Sequence, residues 1–219
     1  MATAKKEVTR YLTPPFVASF PRLFEAHKME GDQGKPKYSV CAIWKPGDFN
    51  EADKVKWNAI LKGLDKAARD AFKTAWKDLD ASTHKKGLRN GKSKEGMAGF
   101  GEGTRFANLT SLQRPGVIDK NKAKVGPEEG NADEIYPGCI CRATVTVYSY
   151  GLKKGSKGKG VAIGLTNLQK LADGPRLDNR VAAEDDFDED VDSRFMDDTD
   201  IDGEDNGGDE APEAEDDFD

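Results

Sequence analysis

Apolar and polar positions alternate with period two in several stretches of the chain and recur at helical spacing in one. The pattern predicts a mainly β body with an inserted α-helix. In residues 9–24, TRYLTPPFVASFPRLF, Phe16, Ala18 and Phe20 alternate as in a half-buried strand. Pro14, Pro15 and Pro21 confine that strand to an edge or to short pieces. Residues 37–45, KYSVCAIWK, put Tyr38, Val40, Ala42 and Trp44 on one face and Ser39, Cys41 and Ile43 on the other. Both faces carry apolar groups, so either could meet the core. From residue 50 to 79 the spacing lengthens. Val55, Ile60, Leu64, Ala67, Ala71, Ala75 and Leu79 recur every three to five positions, as on a helix. Asp48 or Asn50 is its expected cap, and Gly63 an expected break or bend.

Residues 84–103 read as a flexible basic loop and 104–112 as a short strand. After the turn Tyr136-Pro137-Gly138, residues 139–150 are the clearest strand of the chain. Cys141, Ala143, Val145 and Val147 form its apolar face. Arg142, Thr144, Thr146, Tyr148 and Tyr150 form the opposite face. The loop GLKKGSKGKG, residues 151–160, joins it to a strand at 161–165, predicting a β-hairpin. Residues 165–171 fit a helix or an extended segment equally.

Charge divides the chain. Residues 184–219 hold 20 acidic residues against Arg194, a net of −19, so a net of +13 falls on residues 1–183. The acidic stretch has too few apolar residues to offset the entropy of ordering, and reads as a disordered tail on a one-domain body. Its pentapeptide Glu184-Asp185-Asp186-Phe187-Asp188 recurs as Glu215-Asp216-Asp217-Phe218-Asp219. A phenylalanine among acids is a polyanion with a hydrophobic hook. It suits a competitor for a nucleic-acid groove and a docking peptide, with Phe187, Phe218, Asp216 and Asp217 as partner contacts. No apolar run is long enough to span a bilayer and the start lacks a signal-peptide core, so a cytoplasmic protein is expected.

The second face of residues 139–150 joins an arginine and two threonines to two tyrosines, the residue types that hold phosphates and stack bases. A plain solvent face is the other reading, since Tyr and Thr favour strands in any case. The adjoining lysine-rich hairpin tips the choice, placing an electrostatic funnel beside a stacking platform. Tyr148 and Tyr150, then Tyr38, Trp44 and Phe16, are the candidate stacking residues. Arg142, Lys153, Lys154, Lys157 and Lys159, then Lys37 and Lys45, are the candidate phosphate contacts.

These features resemble phage-encoded single-stranded DNA-binding proteins. The run from Gly160 to Gly174, GVAIGLTNLQKLADG, looks like the terminal strand region of the Enc34-type family of tailed phages. The likeness covers roughly residues 8–182. It implies an OB-fold, a five-stranded Greek-key barrel whose groove binds single strands. It also implies sequence-independent binding of single-stranded DNA during phage replication, recombination or repair in the infected host cell. The tail would then dock phage or host replication and recombination proteins. In related designs the tail ends at or near an aromatic residue, whereas here Asp219 follows Phe218.

Enzyme chemistry is not expected. No G-x-S-x-G, H-E-x-x-H or P-loop pattern occurs. Cys139 and Cys141 form a C-x-C that reads as strand core rather than as a metal site, and no cofactor is called for. Two rivals remain. One is a protein-interaction module, an acidic chaperone or DNA mimic. The other is a nuclease subunit built on Glu128, Glu129, Asp133 and Glu134. A Pro-containing edge strand would permit a homodimer.

Overall fold

A computed structural model describes residues 8–28, 34–153, 156 and 158–178. Nine strands are described: β1 (Arg10–Leu12), β2 (Phe16–His27), β3 (Lys37–Trp44), β4 (His84–Lys85), β5 (Leu88–Asn90), β6 (Arg105–Ser111), β7 (Gly116–Ile118), β8 (Ile140–Tyr150) and β9 (Lys159–Ala172). Helix α1 (Glu51–Phe72) lies between β3 and β6.

Five strands close a ring. β2 pairs antiparallel with β3, β3 with β6, β8 with β9, and β8 with β2; β6 runs parallel to β9, with Thr110 opposite Gly164. This is the connectivity of the OB-fold expected from the resemblance. β1 extends the sheet on β8, pairing Arg10 with Thr146. Residues 165–171, undecided in the sequence, continue β9.

Residues 84–103 are not only a loop. β5 pairs with β6, β4 pairs with β9, and Gly91–Lys94 forms a 3-10 turn. Together they fill the seam where β6 and β9 diverge. A Cβ at Gly87 would stand 2.6 Å from the Val161 carbonyl oxygen, so only glycine allows this approach.

The core lies inside the ring and under α1. Val40, Ala42 and Trp44 from β3, Ala107 and Leu109 from β6, and Cys141, Ala143 and Val145 from β8 converge there. Helix residues Trp57, Ile60, Leu64 and Ala68 complete it. Asn50 is the cap, its side chain accepting from the Asp53 amide at 2.9 Å. The helix ends at Phe72, short of the expected 79, where Lys73 turns left-handed. Gly63 makes no break. It is buried, and a Cβ there would meet the Tyr11 ring at 2.8 Å, so its role is to admit β1.

Both faces of β3 are covered, as its sequence allowed. Cys41 and Ile43 form a second, smaller cluster with Phe106, against which Val17, Phe100 and Leu177 pack. Among the described residues, no helix is long and apolar enough to cross a membrane.

Candidate nucleic-acid interface

Strand pairing carries one row of side chains across the outside of the barrel. Residues that face each other in a sheet point to the same side. Arg22 faces Ser39, Ser39 faces Thr110, Thr110 faces Gly164, Gly164 faces Thr146 and Thr146 faces Arg10. The row is small in the middle and cationic at both ends. Beside it, on the same exterior face, lie Tyr148 and Tyr150 on β8 and Asn108 and Phe106 on β6.

Tyr148 is 44% exposed. A Cβ at Gly164 would touch its Cε1 at 3.2 Å and Thr146 Oγ1 at 2.8 Å, so the glycine leaves room for the ring to lie over β9. Tyr150 is half-buried, and burial, then the neighbouring Tyr148, pushes its phenol above the usual tyrosine range. Tyr150 helps line a groove of about 1060 Å³ at the seam between β6 and β9. Lys77, Lys85, Lys86, Arg89 and Arg105 also line it, and among the described residues its lining includes no carboxylate.

The expected contacts divide. Tyr148, Tyr150 and Arg142 share the exterior face, as alternation implied. Arg142 is tied down, its Nε donating to Gln169 Oε1 at 2.9 Å. Lys153 and Lys159 are exposed at the β8–β9 hairpin, and Lys37 is exposed at the start of β3. Lys45 is exposed and pairs with Asp48 at 3.2 Å. Tyr38 is half-buried on the Val40 side of β3. Lys154 and Lys157, and the tail contacts Phe187, Phe218, Asp216 and Asp217, lie outside the described residues.

Two expectations need correction. Phe16 and Trp44 are each 2% exposed and offer no free ring to a base. They meet edge to face at 5.5 Å, and Trp44 also packs on Trp57 at 5.3 Å. Its indole Nε1 donates to the Pro14 carbonyl at 3.3 Å. Burial of so large an apolar area outweighs any surface role.

Phe20 departs in the opposite direction. Alternation puts it inward with Phe16 and Ala18, yet it is 54% exposed. Beyond Phe20, the outer β2–β3–β6 face carries cations over aromatics. The Arg89 guanidinium lies 4.4 Å from the Phe106 ring centre, and the Lys94 ammonium lies 4.9 Å from that of Phe100. Burial pushes the Cys41 thiol up to about 11, with Lys94 and Arg89 pulling it the other way. Sequence reasoning missed these residues because it took 84–103 for a loop. The signal was there in its Lys and Arg content. What was absent was the pairing that lays the segment on the sheet.

Glu128, Glu129, Asp133 and Glu134, the carboxylates of the nuclease rival, are on two 3-10 turns. Glu128 pairs with Arg114 at 2.6 Å. Among the described residues, no group of three or more His, Cys, Asp or Glu could hold a metal ion.

No curated protein sequence matches the chain. Among solved structures, the single-stranded DNA-binding protein of bacteriophage Enc34 in complex with ssDNA is similar, with a TM-score of 0.61 and 19% identity over 76% of this chain and 88% of that one. Its C-terminal truncation gives 0.57 and 21% identity, covering 76% and 87%. The T7 protein gp2.5, a single-stranded DNA binding protein, gives 0.50 and 13% identity, covering 87% and 98%. At these identities the likeness speaks for the fold. The family described as Enterobacter phage Enc34, ssDNA-binding protein, matches residues 11–199, most of the chain. The chain therefore belongs to the Enc34 phage ssDNA-binding protein family.

Proposed function

We propose that this protein binds single-stranded DNA without sequence preference, along the exterior face that runs from β2 to β8. The observation that carries the reading is the exposed Tyr148 ring and half-buried Tyr150 beside a cationic groove that, among the described residues, is lined by no carboxylate. Rings stack unpaired bases, which duplex DNA keeps covered, and cations neutralise phosphate. Arg142, Lys153, Lys154, Lys157 and Lys159 are the proposed phosphate contacts near the tyrosines, with Lys37 and Lys45 at the β3 side; Tyr38, the remaining stacking candidate, is half-buried on the other side of β3. To these the groove adds Lys77, Lys85, Lys86, Arg89 and Arg105. Family membership supports the same ligand. The cellular role we infer is phage DNA replication, recombination or repair, without catalysis.

Residues 1–183 are proposed as the binding domain and 184–219 as a separate acidic tail that competes with DNA and docks partner proteins. Its charge of −19 complements the body's +13. Leu177 packs on the cluster of Ile43 and Phe106.

Titration with a dT oligonucleotide and with duplex of equal length, at low and high salt, tests the reading. Expected is saturable binding of the single strand, weakened by salt as counterions are released, and little affinity for duplex. Equal affinity for both would leave only a generic basic surface. Deleting 184–219 is expected to tighten binding most at low salt. Unchanged affinity at every salt concentration would remove the competitor role.

A further inference from the structure

We infer a second base-stacking site at Phe20, at the opposite border of the exterior face from Tyr148, with Lys94 beside it as the phosphate contact. The inference rests on the single-strand reading above and deepens it by naming where the strand's far end is held.

The evidence begins with the backbone. Phe20 has φ of 47°, the left-handed region that a bulky side chain rarely enters. The residue before a proline is further restricted to extended conformations, and Pro21 follows. A conformation disfavoured twice is held here by a residue with no glycine-like freedom. The strand is bulged at this point: the β2–β3 register shifts between Ser19 and Arg22. A bulge re-aims a side chain. Without it, alternation would bury Phe20 with Phe16 and Ala18. With it, the ring stands out from the sheet. Observed strain of this kind points toward function rather than packing.

The surroundings suit one ligand. The Lys94 ammonium is 5.7 Å from the Phe20 ring centre and 5.2 Å from that of Phe106. Ser19 and Arg22 flank Phe20 on β2, facing Cys41 and Ser39, whose β6 partners are Asn108 and Thr110. Phe20 is therefore level with Tyr148 across the face. The strands between them are β3, β6 and β9, so at about 4.8 Å per spacing the rings stand at least roughly 19 Å apart along the curve, and the opening of the β6–β9 seam adds to that. That span suits the several nucleotides that one OB-fold covers. An aromatic ring with an adjacent ammonium fits an unpaired base and its phosphate.

Phe20→Gly separates stacking from packing. It removes the ring and relieves the left-handed backbone. Expected is roughly five- to hundred-fold weaker binding of a dT oligonucleotide. The midpoint of thermal unfolding should be equal or higher, and the salt slope unchanged. Lys94→Gln should instead flatten the slope of log affinity against log salt by about 0.7. Phe20→Trp should keep affinity and add an indole whose fluorescence dT quenches. If Phe20→Gly binds as the parent does, or melts clearly earlier, the Phe20 site is overturned. Tyr148→Ala is the control for the reading beneath it. Loss in Tyr148→Ala with none in Phe20→Gly removes only the second site, whereas a parent protein that binds no dT removes both.

Discussion

β8 and β2 both carry aromatic side chains in alternating sequence, and the fold treats them oppositely. On β8 the period of two holds from Ile140 to Tyr150. Cys141, Ala143 and Val145 are buried, and Tyr148 and Tyr150 share the outer face. On β2 the period holds only to Ser19. Phe16 is core, and Phe20, two positions from the buried Ala18, is turned outward by a bulge. β3 adds the complementary case: its alternation is intact, but Trp44 lies on the side that closes over the core. Alternation tells which residues share a face. It does not tell which face is enclosed, nor where a bulge exchanges the two.

The contrast can be broken experimentally. The largest effect is expected from Trp44→Ala, which should destabilise the fold by about 3–5 kcal/mol, the range for removing a buried aromatic. Denaturant unfolding measures this, and the fraction that remains folded should bind dT normally. A stable variant with lost binding would return Trp44 to the surface class. Next in size is Tyr148→Ala with Tyr150→Ala. Each stacked base is worth about 1–3 kcal/mol of binding, and thermal stability should change little. An early-melting double variant with normal binding would make β8 resemble β3. The Phe20 variants belong with this pair, because they ask whether β2 behaves at its bulge as β8 does along its length.

The smallest effect concerns the segment that seats Leu177 against the β3–β6 face. The Lys170 ammonium, 2.8 Å from Asp173, and then the Tyr136 hydroxyl hold the Asp173 carboxyl below its ordinary value of 3.8. A lowered folded pKa contributes stability that is fully present above the ordinary value. That stability is lost as pH falls through the lowered one. Asp173 is largely exposed, so the contribution should be under about 1 kcal/mol. Asp173→Asn should lower stability at pH 7 by that amount, under about 1 kcal/mol, and flatten the pH dependence of unfolding below about pH 4, so that variant and parent converge in acid. Unfolding midpoints across acid pH check it.

Much of the architecture was legible. The helix showed in its three-to-five spacing and in two candidate caps, of which Asn50 serves, although its end did not. Residues 73–79 keep apolar positions that serve a 3-10 turn instead, with Trp76 donating its indole N–H to the Lys86 carbonyl at 2.8 Å. The tyrosines of β8 and the basic hairpin were legible because strand period and charge are local properties. The groove was not. Arg89 and Arg105 face each other's strand only because β5 pairs with β6, and the β5 segment carries no strand pattern in its own sequence. Lys94 reaches the rings of Phe100 and Phe106, near it in the chain, and that of Phe20, far from all three.

By itself the sequence determined the β-rich body with one inserted helix, the shared outer face of Arg142, Tyr148 and Tyr150, and the split between basic body and acidic tail. Each follows from neighbouring residues, through backbone period or summed charge. Tertiary structure alone decided that Phe16 and Trp44 are core, that residues 84–94 become part of the cationic face, and that Phe20 points to solvent. Enclosure depends on which sheet face α1 and the opposite strands cover, and a bulge on how two strands compromise their registers. Neither is a property of one segment, so neither could be read from one.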